Sequence, residues 1–188
     1  MSTPAVAIPG YVAGTWDIDP VHSDVSIVAR HFVVSKVRGH FKEFSGTITT
    51  GEDPLKSSVS ATIVASSIDT NNDQRDGHIR SADFLDVEKF PEITFTSTQL
   101  RQAGDDYELD GDLTLHGVTR NVTLALELSG IGPDPMGGTR VGLSATGSVL
   151  RSDFGMTFNP VMETGGAVVS DKLEIRIEIE AALRQPQQ

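Results

Sequence analysis

The stretch DYELDGDLTLHGVTRNVTLALEL, residues 106–128, decides the fold class of this chain. Apolar or small residues alternate with polar ones on both sides of the dipeptide His116–Gly117. The positions on the apolar face are Tyr107, Leu109, Gly111, Leu113 and Leu115 before that dipeptide, and Val118, Val122, Leu124, Leu126 and Leu128 after it. A period of two is typical of a strand with one dry and one wet face. The stretch therefore predicts two antiparallel strands joined as a hairpin at HGV, residues 116–118.

The same period recurs along the chain and is clearest near its end. There the apolar positions, which alternate with charged residues, are Leu173, Ile175, Ile177 and Ile179. A buried helix would not show this period. In VRGHFKEFSGTI, residues 37–48, the apolar phase changes from odd to even positions near Lys42. We expect a β-bulge at that point, because an extra residue in a strand shifts the phase by one and bends the strand.

The alternating segments amount to about eight strands, most of them longer than the usual ~5–6 residues. Such strands either close into an antiparallel barrel or stack as a sandwich, and their length favours the barrel. Small residues recur on the inward phase, at Gly39, Gly46, Ala61, Ala65, Gly111, Ala145 and Gly147. The lumen therefore need not be filled by its own side chains. An eight-stranded barrel can be packed solid or can hold one ligand, and the pattern alone does not distinguish the two.

The stretch NNDQRDGHIRSADF, residues 71–84, is the helical candidate. Thr70 and Asp73 fit a capping box, so one short helix is predicted near residues 72–84. Its ionisable side chains are Arg75, Asp76, His78, Arg80 and Asp83. One interpretation is a catalytic site, in which these side chains act as general acids and bases. The other is a solvated helix face without function, on which opposite charges lie four residues apart. Spacing alone slightly favours the solvated face, and the cluster Arg151–Ser152–Asp153 leaves the same two alternatives open.

Composition narrows the classes of function. The chain has 188 residues, 26 of them acidic and 15 basic, for a net charge of -11. This balance argues against a nucleic-acid partner, because such binding rests on basic side chains that neutralise phosphates. Cysteine is absent, and the five histidines show no zinc-binding spacing, so we expect no metal site.

The chain is expected to form a single domain over residues 15–184. We expect a flexible segment over residues 1–14 and a disordered tail over residues 185–188. The first residues contain neither a basic segment nor a continuous apolar run, so neither a signal peptide nor membrane insertion is predicted. The expected location is cytoplasmic.

Several longer blocks resemble the YceI-like polyisoprenoid-binding family. The blocks are WDIDPVHSDVSIVARH, VRGHFKEFSGTI, SSIDTNNDQRDGHIRSADFLDVEKFPEITFTST, LDGDLTLHGVTRNVTL and RSDFGM. They follow in the order and spacing of the family from about Trp16 to Leu183. The resemblance implies an all-β, eight-stranded, antiparallel, lipocalin-like barrel whose hydrophobic lumen holds a long isoprenoid tail. Members are described as binding, carrying or sequestering such lipids, and some as capturing lipophilic antibiotics.

The resemblance also implies which residues bind the ligand, with no cofactor and no catalytic residue. The expected lumen residues are Ile27, Phe41, Phe44, Ile63, Phe84, Ile93, Phe95, Leu113, Val122, Leu124, Leu126, Phe154, Phe158, Ile175 and Ile177. The expected rim residues, which order the helix over the mouth or meet a head group, are His22, Arg75, Asp76, His78, Arg151 and Asp153. The head group could be a quinone, a phosphate or absent. Many relatives are exported, and this chain departs from them in lacking a recognisable leader.

Two other functions compete with lipid binding. An isomerase or cyclase could fold a lipophilic substrate inside a dry barrel while a rim histidine or aspartate moves a proton. A barrel packed solid, with protein partners alone, would have no internal cavity and take up no lipid. A homodimer through an exposed barrel face is plausible in each case.

Overall fold

The structure, a computed structural model, describes residues 7–160 and 168–187. Its strands in chain order are β1 (Gly14–Ile18), β2 (Asp24–His31), β3 (Ser35–Phe41), β4 (Phe44–Thr50), β5 (Ser58–Val64), β6 (Ile68–Asp69), β7 (Glu92–Ala103), β8 (Asp106–Leu115), β9 (Val118–Pro133), β10 (Thr139–Leu150) and β11 (Lys172–Leu183). Within the described residues the α-helix is α1 (Asp73–Arg80). Most of the described chain is therefore strand, as the period of two predicts.

The strands close into an eight-stranded antiparallel barrel, which confirms the predicted fold. The ring runs β1-β4-β5-β7-β8-β9-β10-β11, and β1 pairs again with β11. Strands β2 and β3 continue β1 and β4 at the other end of the ring, because β2 pairs with Glu174–Glu178 of β11. Closure pairs the first and last strands of the ring, so neither β1 nor β11 is left as a free edge strand.

The change of phase near Lys42 separates β3 from β4. Strand β3 ends at Phe41 and β4 begins at Phe44, and the two residues between them leave the ladder. The Lys42 N–H donates to the Ser67 carbonyl at 3.2 Å. Phe41 and Phe44 both face the barrel interior despite their odd and even positions. The predicted change of phase is thus confirmed, but it occurs at a break between two strands and not at a β-bulge within one strand. Its effect is that both phenylalanines face inward.

The hairpin predicted from residues 106–128 is β8 and β9. Their register pairs Leu115 with Val118, so His116 and Gly117 form the two-residue connection. Both have positive φ, 54° and 71°, as the central residues of a type I′ turn require. Gly117 also lies against the ring of Phe90, where a Cβ would be 2.4 Å from Cε1. A side chain at this position would therefore meet both steric and backbone strain.

The helix is shorter than predicted and begins with a different cap. The Asn72 side chain accepts a hydrogen bond from the Arg75 N–H at 2.9 Å, so Asn72 is the N-cap in place of the predicted Thr70. The helix ends at Arg80, and Ser81 leaves the helical backbone region. Thr70 instead bonds the carboxylate of Asp76, a tertiary contact that its spacing from Asp73 does not reveal.

Buried side chains form two clusters along the barrel. The larger cluster lies at the α1 end and includes Leu85, Phe154 and Leu173. The smaller one surrounds Trp16 at the opposite end of β11. No helix in the described part of the chain has the length and apolar character needed to cross a bilayer. Residues 1–6 and 188 lie outside the described residues, so the predicted flexible segment, disordered tail and domain limits stay predictions.

Candidate functional site

A cavity of about 460 Å³ occupies the interior of the barrel. Every strand of the closed ring contributes apolar side chains to its wall. On β11 the wall consists of alternate residues from Leu173 to Ile179. Six residue steps of strand at ~3.4 Å each make that wall about 20 Å long. The cavity contradicts the hypothesis of a barrel packed solid.

The predicted lumen residues lie on this wall, with one exception. Those that line the cavity are Ile27, Phe41, Phe44, Ile63, Phe84, Ile93, Phe95, Leu113, Val122, Leu124, Leu126, Phe158, Ile175 and Ile177. Phe154 does not line it, because the short 3₁₀ turn Arg151–Phe154 buries its ring in the surrounding core. Its carbonyl lies 3.0 Å from Nδ1 of His116.

Other lining residues were missed from the sequence. Ile18 and Leu143 line the cavity from β1 and β10, strands on which no lumen residue was predicted. Others share the inward phase of predicted residues on the same strand, namely Ile48, Val59, Leu109, Leu173 and Ile179. The alternation itself could have found them. Leu100 could not be found in this way, because a register shift between Ser97 and Gln99 reverses the phase of β7 after Phe95.

Two of the small residues on the inward phase, Ala61 and Ala145, line the cavity, whereas the glycines on that phase are covered by larger side chains. The Phe95 ring lies directly over Gly111, and Leu124 Cδ2 would be 2.7 Å from a Cβ at Gly147. These glycines accommodate large neighbouring side chains. The cavity remains because the ring of strands is wider than its own side chains fill.

The mouth of the cavity near α1 is closed in part by aromatic rings. The His78 ring packs edge-on against Phe84 at 5.0 Å and Phe158 at 5.4 Å between centroids. Phe84 and Phe158 contact each other at 5.5 Å. His78 Nε2 lies 2.8 Å from an Asp83 oxygen, so the exposed side of the ring is held by a carboxylate. All three rings line the cavity.

Arg151 lies behind this aromatic cluster and is only 3% exposed. Its Nη1 donates to the carbonyls of Met156 at 3.0 Å and Phe158 at 2.8 Å, and its Nε donates to the Ser170 carbonyl at 3.0 Å. Burial lowers the pKa of Arg151, which nearby Asp171 opposes. An arginine stays charged in proteins under such conditions. The guanidinium thus ties the segment after β10 to the segment before β11 and has few donors left for a ligand.

Arg75 and Asp76 also serve the mouth indirectly. Arg75 Nε and Nη2 donate to Oγ1 and the carbonyl of Thr70, at 2.7 and 2.6 Å. Asp76 is buried and accepts hydrogen bonds from the Thr70 N–H and hydroxyl. Arg75 lines the cavity, whereas Asp76 does not. The two residues hold the start of α1 against the barrel through one threonine.

Two further predicted rim residues do not line the cavity. His22 Nδ1 is 2.8 Å from an Asp19 carboxylate oxygen, beside Glu180 near the far end of β11. His22 lies in the connection between β1 and β2, which pair one after the other along β11. That connection lies far from α1, so His22 is distant from Arg75 and His78. Asp153 is exposed on the 3₁₀ turn and does not line the cavity. Of the predicted rim set, the structure brings together Arg75, His78 and Arg151.

The ionisable residues in the described part of the cavity lining are all basic. They are Arg30, His31, Arg75, His78 and Arg151. No carboxylate is among the described lining residues, although the chain contains 26 acidic residues. An apolar wall with cationic groups at one end can hold a long apolar chain and tolerate a neutral or anionic polar end.

Comparison with known proteins agrees with this architecture. A solved structure of BcnA from Burkholderia cenocepacia superposes with a TM-score of 0.77 at 23% identity, covering 88% of this chain and 99% of that one. A polyisoprenoid binding domain from Saccharophagus degradans, implicated in plant cell wall breakdown, superposes with a TM-score of 0.69 at 16% identity, covering 92% and 100%. At these identities the two likenesses concern the fold.

Sequence comparison identifies the family. Protein YceI of Salmonella newport (strain SL254) is 42% identical over 172 residues, which cover 90% of this chain and 87% of that protein. The family model described as the YceI-like domain matches residues 16–181, a span that includes the whole barrel ring except the ends of β1 and β11. The chain therefore belongs to the YceI-like domain family.

Proposed function

We propose that the protein binds a long-chain polyisoprenoid, or a similar lipophilic molecule, inside the barrel for carriage, storage or sequestration. The observation that carries this proposal is the elongated apolar cavity along β11. Its volume of about 460 Å³ lies within the ~300–1,000 Å³ range of small-molecule sites. The likeness to a domain that binds polyisoprenoids supports the same ligand class.

Burial of the apolar chain supplies the binding free energy. Each methylene-sized group moved from water contributes up to about 0.8 kcal/mol, so several prenyl units outweigh the loss of ligand freedom. No hydrogen bond deep in the lumen is needed. A branched, flexible tail also suits a wall built from Leu, Ile, Val and Phe side chains at several depths.

The polar end of the ligand would lie at the mouth near α1. Arg75 and His78 of α1 are exposed there, as is Arg30 at the end of β2, while His31 is half-buried. They favour a neutral end such as a quinone ring, or an anionic end such as a phosphate, over a cationic one. The cytoplasmic location and the homodimer stay predictions from the sequence.

The test is to identify what the protein retains. The protein is purified without detergent, extracted with organic solvent, and the extract is analysed by mass spectrometry. A polyprenyl species in near one-to-one amount is expected. The Ala145→Phe variant adds a ring on the cavity wall and should lose that species, whereas Thr146→Phe adds the same ring to the outer face and should keep it. An empty wild-type extract that also fails to take up added polyisoprenoid would refute the proposal.

Catalysis is the second candidate, and one contact favours it. The His78–Asp83 pair stands beside the cavity mouth, an arrangement in which a carboxylate orients an imidazole for proton transfer. An isomerase or cyclase would convert an added lipophilic substrate, and the conversion would stop in His78→Asn. Retention of intact lipid by both wild type and His78→Asn would favour binding without chemistry.

A further inference from the structure

The tip of the β2–β3 hairpin exposes three consecutive apolar side chains. Phe32, Val33 and Val34 are 42%, 72% and 85% exposed. Isolated apolar residues on a surface are ordinary, but a contiguous group at a protruding turn usually marks an interaction site.

This tip stands at the mouth of the cavity. Arg30 and His31, at the end of β2, line the cavity, and so does Val37 of β3. The Phe32 N–H donates to the carbonyl of Val168 at 2.9 Å, which fixes the hairpin against the segment that precedes β11. Whatever the tip contacts is therefore brought to the opening through which a ligand would pass.

Folding stability does not account for the apolar residues at the tip. Phe32 and Val33 have φ of 54° and 63°, a left-handed conformation that favours Asn and Gly and disfavours a β-branched residue. The Val34 N–H closes the turn onto the His31 carbonyl at 3.2 Å. Burial does not favour Val33 and Val34 either, since both face solvent, whereas the Phe32 ring is partly covered by the edge-on ring of His31 at 3.9 Å between centroids. The hairpin would fold more readily with a polar turn.

The tip is also basic within an acidic protein. The segment RHFVVSKVR, residues 30–38, contains Arg30, Lys36 and Arg38 and no acidic residue, whereas the chain has a net charge of -11. Arg30 and Lys36 are cross-strand partners, separated from the apolar tip by the pair His31 and Ser35. Among the described residues none of these three cations forms an ion pair.

A second exposed apolar pair provides a contrast. Val21 and Met136 are 83% and 93% exposed near the far end of the barrel. Their backbone N–H groups donate to the carboxylates of Asp19 and Asp134, so their surroundings are acidic. The exposed apolar residues at the mouth thus have basic neighbours, whereas Val21 and Met136 near the far end have acidic ones.

We propose that the Phe32–Val34 tip docks the protein onto an anionic membrane surface, with the cavity mouth turned toward the bilayer. The three apolar side chains enter the interfacial layer, and Arg30, Lys36 and Arg38 contact anionic head groups. The contact is peripheral and no segment spans the bilayer. The inference goes beyond the proposed function and does not depend on it, because docking requires no ligand in the cavity.

Vesicle flotation of the full chain tests this proposal. The vesicles contain phosphatidylcholine alone or with a third phosphatidylglycerol, and no isoprenoid. We expect flotation with the anionic vesicles that weakens with added salt, because charge attraction at a surface is screened. Phe32→Asn/Val33→Gly should reduce the affinity at least tenfold while leaving the melting temperature equal or higher, since Asn-Gly is a favoured type I′ pair. Lys36→Glu/Arg38→Glu should reduce it similarly.

The matched control removes exposed apolar surface from the other end. Val21→Ser/Met136→Ser should float as the wild type does. The proposal is overturned if the wild type fails to float with anionic vesicles, if neutral vesicles bind it equally well, or if the tip variants and the control behave alike. Lipid retention measured on the same variants is a separate readout, so failure to dock and failure to hold a polyisoprenoid are distinguishable.

Discussion

At the scale of single residues, Arg151 illustrates a charged side chain that supports a binding site without being free to bind. Its three closest hydrogen bonds reach carbonyls on both segments that border the mouth. The planar guanidinium holds its N–H donors on three nitrogens in a fixed plane, whereas lysine carries all of its donors on one nitrogen. The residue therefore positions Phe158 and its neighbours at the opening.

We expect Arg151→Ala to lower the free energy of unfolding by about 2–4 kcal/mol, because it leaves buried carbonyls without donors. Arg151→Lys should recover only part of this loss. Urea unfolding at pH 7 measures both. Arg120→Ala is the control, since Arg120 is exposed and makes only a 3.4 Å contact with its neighbour's carbonyl, and a change within about 0.5 kcal/mol is expected. Equal losses at both positions would contradict this role.

At the scale of elements, α1 depends on tertiary contacts. A helix of eight residues is marginal by itself in water. Asn72 caps its first turn. Arg80, the last residue of the helix, donates to the carbonyls of Ser66 and Ile68, which precede the helix in the chain. These contacts hold the helix beside the cavity mouth, where His78 lies.

Asn72→Ala should cost about 1 kcal/mol through loss of the cap. The effect should be local, because α1 can open without the barrel. Hydrogen exchange followed by mass spectrometry is expected to show amides of α1 exchanging about fivefold faster, with β8 and β9 unchanged. Asn72→Asp keeps the acceptor and should exchange at the wild-type rate. Uniform acceleration across the barrel would show that helix and barrel open together.

The strands were predicted more accurately than this helix, for a physical reason. Strand phase is a local property, since side chains alternate along any extended backbone, so the hairpin at His116–Gly117 and the interruption near Lys42 were predicted correctly. The N-cap was predicted at Thr70, two residues before the observed cap Asn72. Thr70 satisfies the sequence pattern of a capping box, but its hydroxyl donates to the Asp76 carboxylate. Which of several polar side chains caps a helix depends on where the chain enters it.

At the scale of the whole molecule, ion pairs make stability depend on pH. Partners lower the pKa of several aspartates below the usual range, namely Asp17, Asp19, Asp69, Asp110, Asp134 and Asp171. The largest cause at Asp134 is the hydrogen bond from Arg140, and at Asp19 it is His22, followed by Arg140. Arg140 therefore joins the β9–β10 connection to the end of β1.

The sign of the pH dependence follows from these shifts. A carboxyl with a lower pKa in the folded state stabilises the fold above its unfolded pKa of about 3.9, and that stabilisation is lost as the pH falls. Asp19 raises the pKa of His22, whose contribution to stability is present below about 6.5 and is lost as the pH rises. We expect the free energy of unfolding, measured by urea at pH 5 and pH 3, to fall markedly. Arg140→Gln should show a smaller fall, and an unchanged slope would contradict the assigned pairs.

The sequence by itself determined the period of two, the position of the hairpin, the change of phase near Lys42 and most of the apolar residues that face inward, because these follow from local backbone geometry and solvent exposure. It did not determine that Phe154 packs outside the cavity, or that His22 lies at the far end from His78. Only the tertiary structure decided these points, together with the cavity itself. The lumen is the space left between eight strands after their side chains pack. The volume of that space depends on barrel closure and on contacts between residues distant in the chain.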